Sequence, residues 1–364
     1  MKINRQLIGF KNSFTLESGK ILSGFELMVD TYGELNSDAS NAILVCHAFS
    51  GNHHAAGKHE TDTTEGWWDQ MIGPGKAIDT NKYFIVCPNN LGGCAGSTGP
   101  TSINPASKEP YGGDFPVVSV SDWVNSQKLL MEHLGINKWE IVIGGSLGGM
   151  QALEWSLSYP HLVNKAGVIA AAAKASTQNI GMNEVAREAI RKDENFHDGN
   201  YLAMRTKPKR GLKTARMLGH ITYLSEEHMN LRFGRKVQNE DTKIDGYVDF
   251  EIENYLKYKG EKFSDSFDAN SYILMTKAMD GYDPASKKNG NLTKAMEPIK
   301  AKLLIVGFET DWLFPAKRGK EIQAAAMNAN VLSSFVILPG NQGHDSFLFH
   351  TPEYEKILSN FIES

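Results

Sequence analysis

Short runs of aliphatic and β-branched residues recur along the chain, each closing on small or polar residues. AILVCHAFSG begins at Ala42, YFIVCPNN at Tyr83, WEIVIGGS at Trp139, LVNKAGVIAAAA at Leu162, KLLIVGFETD at Lys302 and SFVILPGN at Ser334. Between several of them lie stretches with apolar residues at helical spacing, such as VSDWVNSQKLLMEHLG from Val120 and AKRGKEIQAAAMNAN from Ala316. Strands buried on both faces read as unbroken apolar runs. Their alternation with helices predicts an α/β fold with a mostly parallel sheet flanked by helices. The alternation fails between about Ala173 and Pro298. There NEVAREAIRKD, KTARMLGHITYLSEEHMNLRFGRK and NSYILMTKAMDGYD read as helices or helical pieces, and no strand is convincing. The pattern predicts a core made of residues 1–172 and 299–364, with residues 173–298 inserted as a helical cap. A separate C-terminal domain does not fit, because the last two strand signals have too little chain around them to build a core.

Composition narrows the class. At 364 residues and 41% hydrophobic content the chain can bury a large core, and it is not disordered in character. A formal net charge of −4 gives no reason to expect a nucleic acid partner. No stretch approaches the ~18 unbroken apolar residues of a membrane helix. MKINRQLIGF lacks the apolar segment of a signal peptide. The expectation is a cytoplasmic protein without a membrane partner. Cys46, Cys87 and Cys94 leave one thiol unpaired in any disulfide scheme and match no zinc spacing. Reduced thiols and no metal are expected.

Gly144-Gly145-Ser146-Leu147-Gly148 is a G-x-S-x-G sequence. The motif is short, so its context decides. A strand over Trp139–Ile143 precedes it and a helix opens at Gly148, which is the strand–turn–helix setting that presents a serine nucleophile. A phosphate-cradling loop would need Gly-Lys-Ser/Thr, and a dinucleotide fingerprint would fall on the first strand; neither is present. A nucleophilic serine needs a base, and the base an orienting acid, in chain order Ser, Asp/Glu, His. His344 lies in GNQGHD, just past the last strand signal, where a loop can turn back over the serine. His350 is expected in the following helix or its approach. The acid should follow LLIVGF; Asp311 is preferred, with Glu309 as the alternative. Asp311 could also cap a helix. The oxyanion hole is expected from the backbone N–H of Leu147 and one in HAFSG, with Phe49 preferred to Ala48.

Beyond these residues the chain resembles the homoserine O-acetyltransferases, acyltransferases of the α/β-hydrolase fold. The resemblance rests on HAFSGNHHAAG from His47, GWWDQMIGPGKAIDTNKYFIVCPNNLGGCAGSTGP from Gly66, YGGDFPVVSVSD from Tyr111, GGSLGGMQALEW from Gly144, TARMLGHITYLSE from Thr214 and GHDSFL from Gly343. It implies acetyl transfer from acetyl-CoA, a co-substrate and not a tightly bound cofactor, to L-homoserine in methionine biosynthesis. It implies Ser146, Asp311 and His344 as a triad, Arg216, Tyr223 and Asp345 as substrate-binding residues, and a homodimer joined through the cap helices. An arginine fork suits the homoserine carboxylate and Asp345 its ammonium. Without the resemblance Arg216 would read as a surface residue. Succinyl in place of acetyl, or serine in place of homoserine, would need only pocket changes, and the same triad could serve an esterase or thioesterase. Phe49-Ser50 and Gly113 depart from residues common in the family. Cys94 has no base nearby in sequence, the pair His53-His54 reads as ordinary loop histidines, and the basic run from Arg205 to Arg210 could attract the phosphates of coenzyme A but reads rather as a solvated surface of the cap, with no site role.

Overall fold

The computed structural model describes residues 1–60, 62–238 and 249–364. Residues 239–248 of the expected cap therefore lie outside the described residues. Among the described residues eight strands form one sheet: β1 (Ile3–Phe10), β2 (Phe25–Tyr32), β3 (Ala42–Cys46), β4 (Phe84–Pro88), β5 (Trp139–Gly145), β6 (Val163–Ile169), β7 (Lys302–Phe308) and β8 (Ser333–Leu338). Their order across the sheet is β1-β2-β4-β3-β5-β6-β7-β8. β1 and β2 pair antiparallel, as do β2 and β4. Every pairing from β4 to β8 is parallel.

The strand sequences account for this placement. All five residues of β3 are buried, and they alternate between the faces: Leu44 and Cys46 pack on one side, Ile43 and Val45 on the other. A strand covered on both faces belongs in the middle of a parallel sheet. β1 is mostly exposed, as fits an edge.

Among the described residues ten helices flank or cover the sheet: α1 (Val120–His133), α2 (Leu147–Ser158), α3 (Thr177–Arg191), α4 (Lys209–Tyr223), α5 (Glu226–Arg232), α6 (Glu251–Ser266), α7 (Ala269–Gly281), α8 (Leu292–Met296), α9 (Ala316–Asn328) and α10 (Pro352–Glu363). The six from α3 to α8 fall between β6 and β7, and the described residues there contribute no strand to the sheet. The stretch KTARMLGHITYLSEEHMNLRFGRK holds two helices. Leu224 leaves the helix at φ −98°, ψ 148°, and Ser225 caps α5 by accepting the His228 N–H at 3.1 Å. This break docks the inserted helices onto the core. Trp312 Nε1 donates to the Leu224 carbonyl at 3.0 Å, and Ser225 Oγ donates to the Asn341 carbonyl at 2.6 Å. Gly343 is held at φ +67°, where a Cβ would stand 2.5 Å from the Ser225 nitrogen. Among the described residues no helix is long and apolar enough to cross a membrane.

Candidate active site

Ser146 occupies the corner between β5 and α2 with φ 58°, ψ −122°. An L-residue adopts such a conformation only where its surroundings over-determine it. Here the Ser146 N–H donates to the Ile169 carbonyl at 2.9 Å. The neighbouring glycines let two backbones meet: a Cβ on Gly148 would stand 2.0 Å from the Cys46 carbonyl oxygen, and one on Gly144 would stand 2.5 Å from it.

The loops after β7 and β8 converge on this corner. His344 Nε2 lies 2.8 Å from Ser146 Oγ, and His344 Nδ1 lies 2.8 Å from Asp311 Oδ2. The second Asp311 oxygen accepts the Phe314 N–H at 2.8 Å, so the carboxylate also fixes the turn that leads into α9. All three side chains are buried, with 5%, 3% and 3% of Ser146, Asp311 and His344 exposed. Hydrogen bonding assigns the His344 proton to Nδ1, facing Asp311, and leaves the Nε2 lone pair toward the serine. Burial pushes the His344 pKa down, but the Asp311 charge and hydrogen bond together outweigh it, and the net shift is upward. Glu309 is exposed, and His350 pairs with Glu355 at the surface.

Leu147 is the first residue of α2, where an N–H has no intrahelical acceptor, and among the described residues neither it nor the Phe49 N–H makes a backbone hydrogen bond. A buried polar network lies behind them. His47 Nε2 accepts the Asn90 N–H at 3.0 Å, and Nδ1 donates to the Ala48 carbonyl at 2.8 Å. Burial pushes the His47 pKa down to about 4, which keeps the ring neutral. The Gln151 amide reaches the carbonyls of His47 and Leu147 at 3.4 and 3.5 Å, accepts from Gln127 at 2.7 Å, and Gln127 in turn accepts from Trp155 at 2.7 Å. Buried amides are tolerated only when satisfied, and these tie together the two segments that carry the candidate donors. The sequence reading assigned no role to His47, Gln127 or Gln151. The one signal was Gln151, set among the largely apolar residues of GGMQALEW.

A cavity of about 50 Å³ lies in front of Ser146. Phe49, Leu218, Tyr223, Tyr272, Leu313 and Phe314 are among its lining residues. Tyr223 packs beside His344, with ring centroids 6.3 Å apart. The Arg216 guanidinium lies 5.4 Å from the Tyr223 ring centre and 4.5 Å from that of Phe263. Its Nε and Nη1 are buried and have no hydrogen-bond partner. Asp345 follows His344. Burial raises its carboxyl to about 6, against the opposing pull of His344, Arg216 and Lys259. The structure thus gathers Phe49, Ser146, Leu147, Asp311, His344 and Tyr223 at one corner, with Arg216 beside Tyr223.

The other sequence candidates fall elsewhere. Burial raises the Cys94 thiol to about 11, which leaves little thiolate. His54 bridges Asp30 and Asp62 at 3.2 Å each, and those carboxylates also hold Arg5. Among the described residues no group of three or more His, Cys, Asp or Glu is arranged to hold a metal ion.

A serine on a strand–helix corner, with its acid and base on the loops after β7 and β8, defines the class of the α/β-hydrolase fold, and the sequence matches that fold family over residues 41–351. A homoserine O-succinyltransferase of Hahella chejuensis is 53% identical over 363 residues, covering 99% of this chain and 94% of that protein. A solved homoserine O-acetyltransferase of Bacillus anthracis superposes with a TM-score of 0.92 at 29% identity, over 100% of this chain and 98% of that one. A solved esterase superposes with a TM-score of 0.90 at 32% identity, over 99% of this chain and 100% of that one. The chain belongs to the homoserine O-acyltransferase family of the α/β-hydrolase fold.

Proposed function

We propose that the protein moves an acyl group from acyl-coenzyme A to the hydroxyl of L-homoserine through an acyl-serine, as an enzyme of methionine biosynthesis in the cytoplasm. His344 takes the Ser146 proton, and Oγ attacks the thioester carbonyl. The oxyanion rests on the N–H groups of Phe49 and Leu147. The C–S bond breaks, the proton passes from His344 to the coenzyme A thiolate, and an acyl-Ser146 ester remains. The homoserine hydroxyl then enters, His344 takes its proton, the acyl carbon moves to the homoserine oxygen, and Ser146 is regenerated. The observation that carries this reading is the buried Ser146–His344–Asp311 line set beside an Arg216 whose Nε and Nη1 are buried and unpaired. A homoserine carboxylate would satisfy those donors, and Asp345 would hold the ammonium.

The resemblance implied acetyl as the transferred group. Relatives near 50% identity, from Hahella chejuensis and Neisseria gonorrhoeae, carry succinyl in their names, and we place succinyl-CoA first as donor on that ground. The apolar lining of the cavity and the Bacillus anthracis structure favour acetyl-CoA as the second reading. The inserted helices serve as a lid that excludes water, so that transfer outruns hydrolysis. Free thiol release from succinyl- and acetyl-CoA, each with homoserine, serine or no acceptor, tests all of this. The expected result is release that depends on homoserine and is faster with succinyl-CoA. Equal release without acceptor would make the protein a thioesterase and sink the transferase reading.

A further inference from the structure

α4 and α6 face each other with matched stripes. Arg216, His220 and Tyr223 share one face of α4, and Tyr255, Lys259 and Phe263 share one face of α6. The rings make a continuous path away from the candidate base: His344 to Tyr223 at 6.3 Å, Tyr223 to His220 at 5.9 Å, and His220 to Tyr255 at 5.8 Å between centroids. At the end of that path the Arg232 guanidinium lies 4.7 Å from the Tyr255 ring centre and the Lys259 ammonium 5.6 Å from it. Lys262 is one helical turn beyond Lys259.

Among the described residues none of Arg216, Arg232, Lys259 or Lys262 makes an ion pair, and the buried His220 Nδ1 has no partner. Other cations of the inserted helices are paired: Lys209 with Asp265, Arg210 with Glu194, and Arg187 with Asp280. The Lys259 pKa is pushed down, first by burial and then by Arg216, Lys262 and Arg232; Asp345 opposes them. Lys259 is half-buried while Arg232 and Lys262 are exposed; cations gathered with only Asp345 to oppose them repel one another, and a polyanionic ligand lowers that cost.

We infer that Arg232, Lys259 and Lys262 form the site for the phosphate groups of coenzyme A, with the ring path from Tyr255 to Tyr223 marking the run of the pantetheine arm to Ser146. This rests on the acyl-coenzyme A reading given above. The distal carboxylate of a succinyl group shares the anionic chemistry. An acyl group esterified to Ser146 is short, however, and Arg216 stands nearer to it than this cluster does.

The test compares wild type, Lys259→Gln, Arg232→Gln and the double variant, each as the full chain. Donors are acetyl and succinyl thioesters of coenzyme A and the same thioesters of pantetheine, which lacks phosphates. The readout is the ratio of kcat/KM between the two carriers. The ratio should fall about fivefold in each single variant and further in the double, the loss expected of one partly screened charge contact. Added salt should lower it more in wild type than in the double variant. An unchanged ratio in both single variants overturns the site. So does a loss confined to succinyl donors on either carrier, which would assign the cluster to the distal carboxylate. The homoserine reading fails separately, through acceptor-independent thiol release by wild type, and the carrier ratio still decides the phosphate site.

Discussion

Ser146 is held in a conformation that costs on the order of 1–3 kcal/mol, and that cost is met by the packing around it. The hydroxyl so presented is useful only with His344. Ser146→Ala should abolish the acyl-enzyme seen as a mass increase after mixing with donor, and should lower kcat at least about 10³-fold; a surviving adduct on Cys94 would move the nucleophile. The titration of His344 gives a second expectation. As a base the ring must be neutral, and its pKa lies above the ordinary 6.5. Activity is therefore present above that raised value and lost as pH falls through it, so the acid limb of kcat/KM should sit above pH 6.5. Asp311→Asn removes the charge that raises the pKa, and should move that limb downward as well as lower the plateau. An acid limb that stays in place would separate it from His344. Asp345 titrates near 6 and is an anion only above that value. The KM for homoserine should accordingly rise as pH falls below about 6, and Asp345→Asn should flatten that rise.

Elements, rather than single residues, hold the corner. Gly148 in α2 lies against the end of β3, and an added Cβ would meet a backbone carbonyl that cannot rotate away. Gly148→Ala should cost about 1–3 kcal/mol although alanine favours helix, because the two backbones must separate. Thermal unfolding measures the loss, and an unchanged Tm would show that α2 can shift freely. Sequence patterning made the central strands legible because each contains a compact apolar run, even where Glu140 in β5 or Asn164 and Lys165 in β6 stand beside it, and the chain order Ser, Asp, His narrowed the candidates for base and acid. β1 and β2 were not legible. They stand at a half-solvated antiparallel edge, and their polar residues dilute the signal. The break at Leu224–Ser225 was hidden as well, since a helical period runs across it. Only the Ser225 cap and the docking of Trp312 and Asn341 interrupt it. His47, Gln127 and Gln151 escaped for a related reason: a buried polar network is assembled from three distant segments, and no local pattern announces it.

At the scale of the molecule, the surface of the inserted helices bears on assembly. Ile221 on α4, Leu231 on α5, Val237 just beyond it and Tyr258 on α6 are exposed, Leu231 by 83%. Single exposed apolar residues are ordinary, but four on neighbouring elements mark a surface suited to association. The family resemblance implies a homodimer joined through the cap helices, and we propose this face for it: an isologous dimer sets the same apolar patch against itself. Helices that close the site would then also be held by the partner, and loss of the dimer should loosen the lid. Leu231→Asp tests both links, because a side chain so exposed contributes little to the folded monomer. Sedimentation should show a dimer for wild type and a monomer for the variant at micromolar concentration. The variant should also release more thiol without homoserine, as water enters a less firmly covered acyl-serine. A variant that remains dimeric would place the interface elsewhere. A monomer with unchanged acceptor dependence would show that α3 to α8 exclude water from Ser146 without a partner.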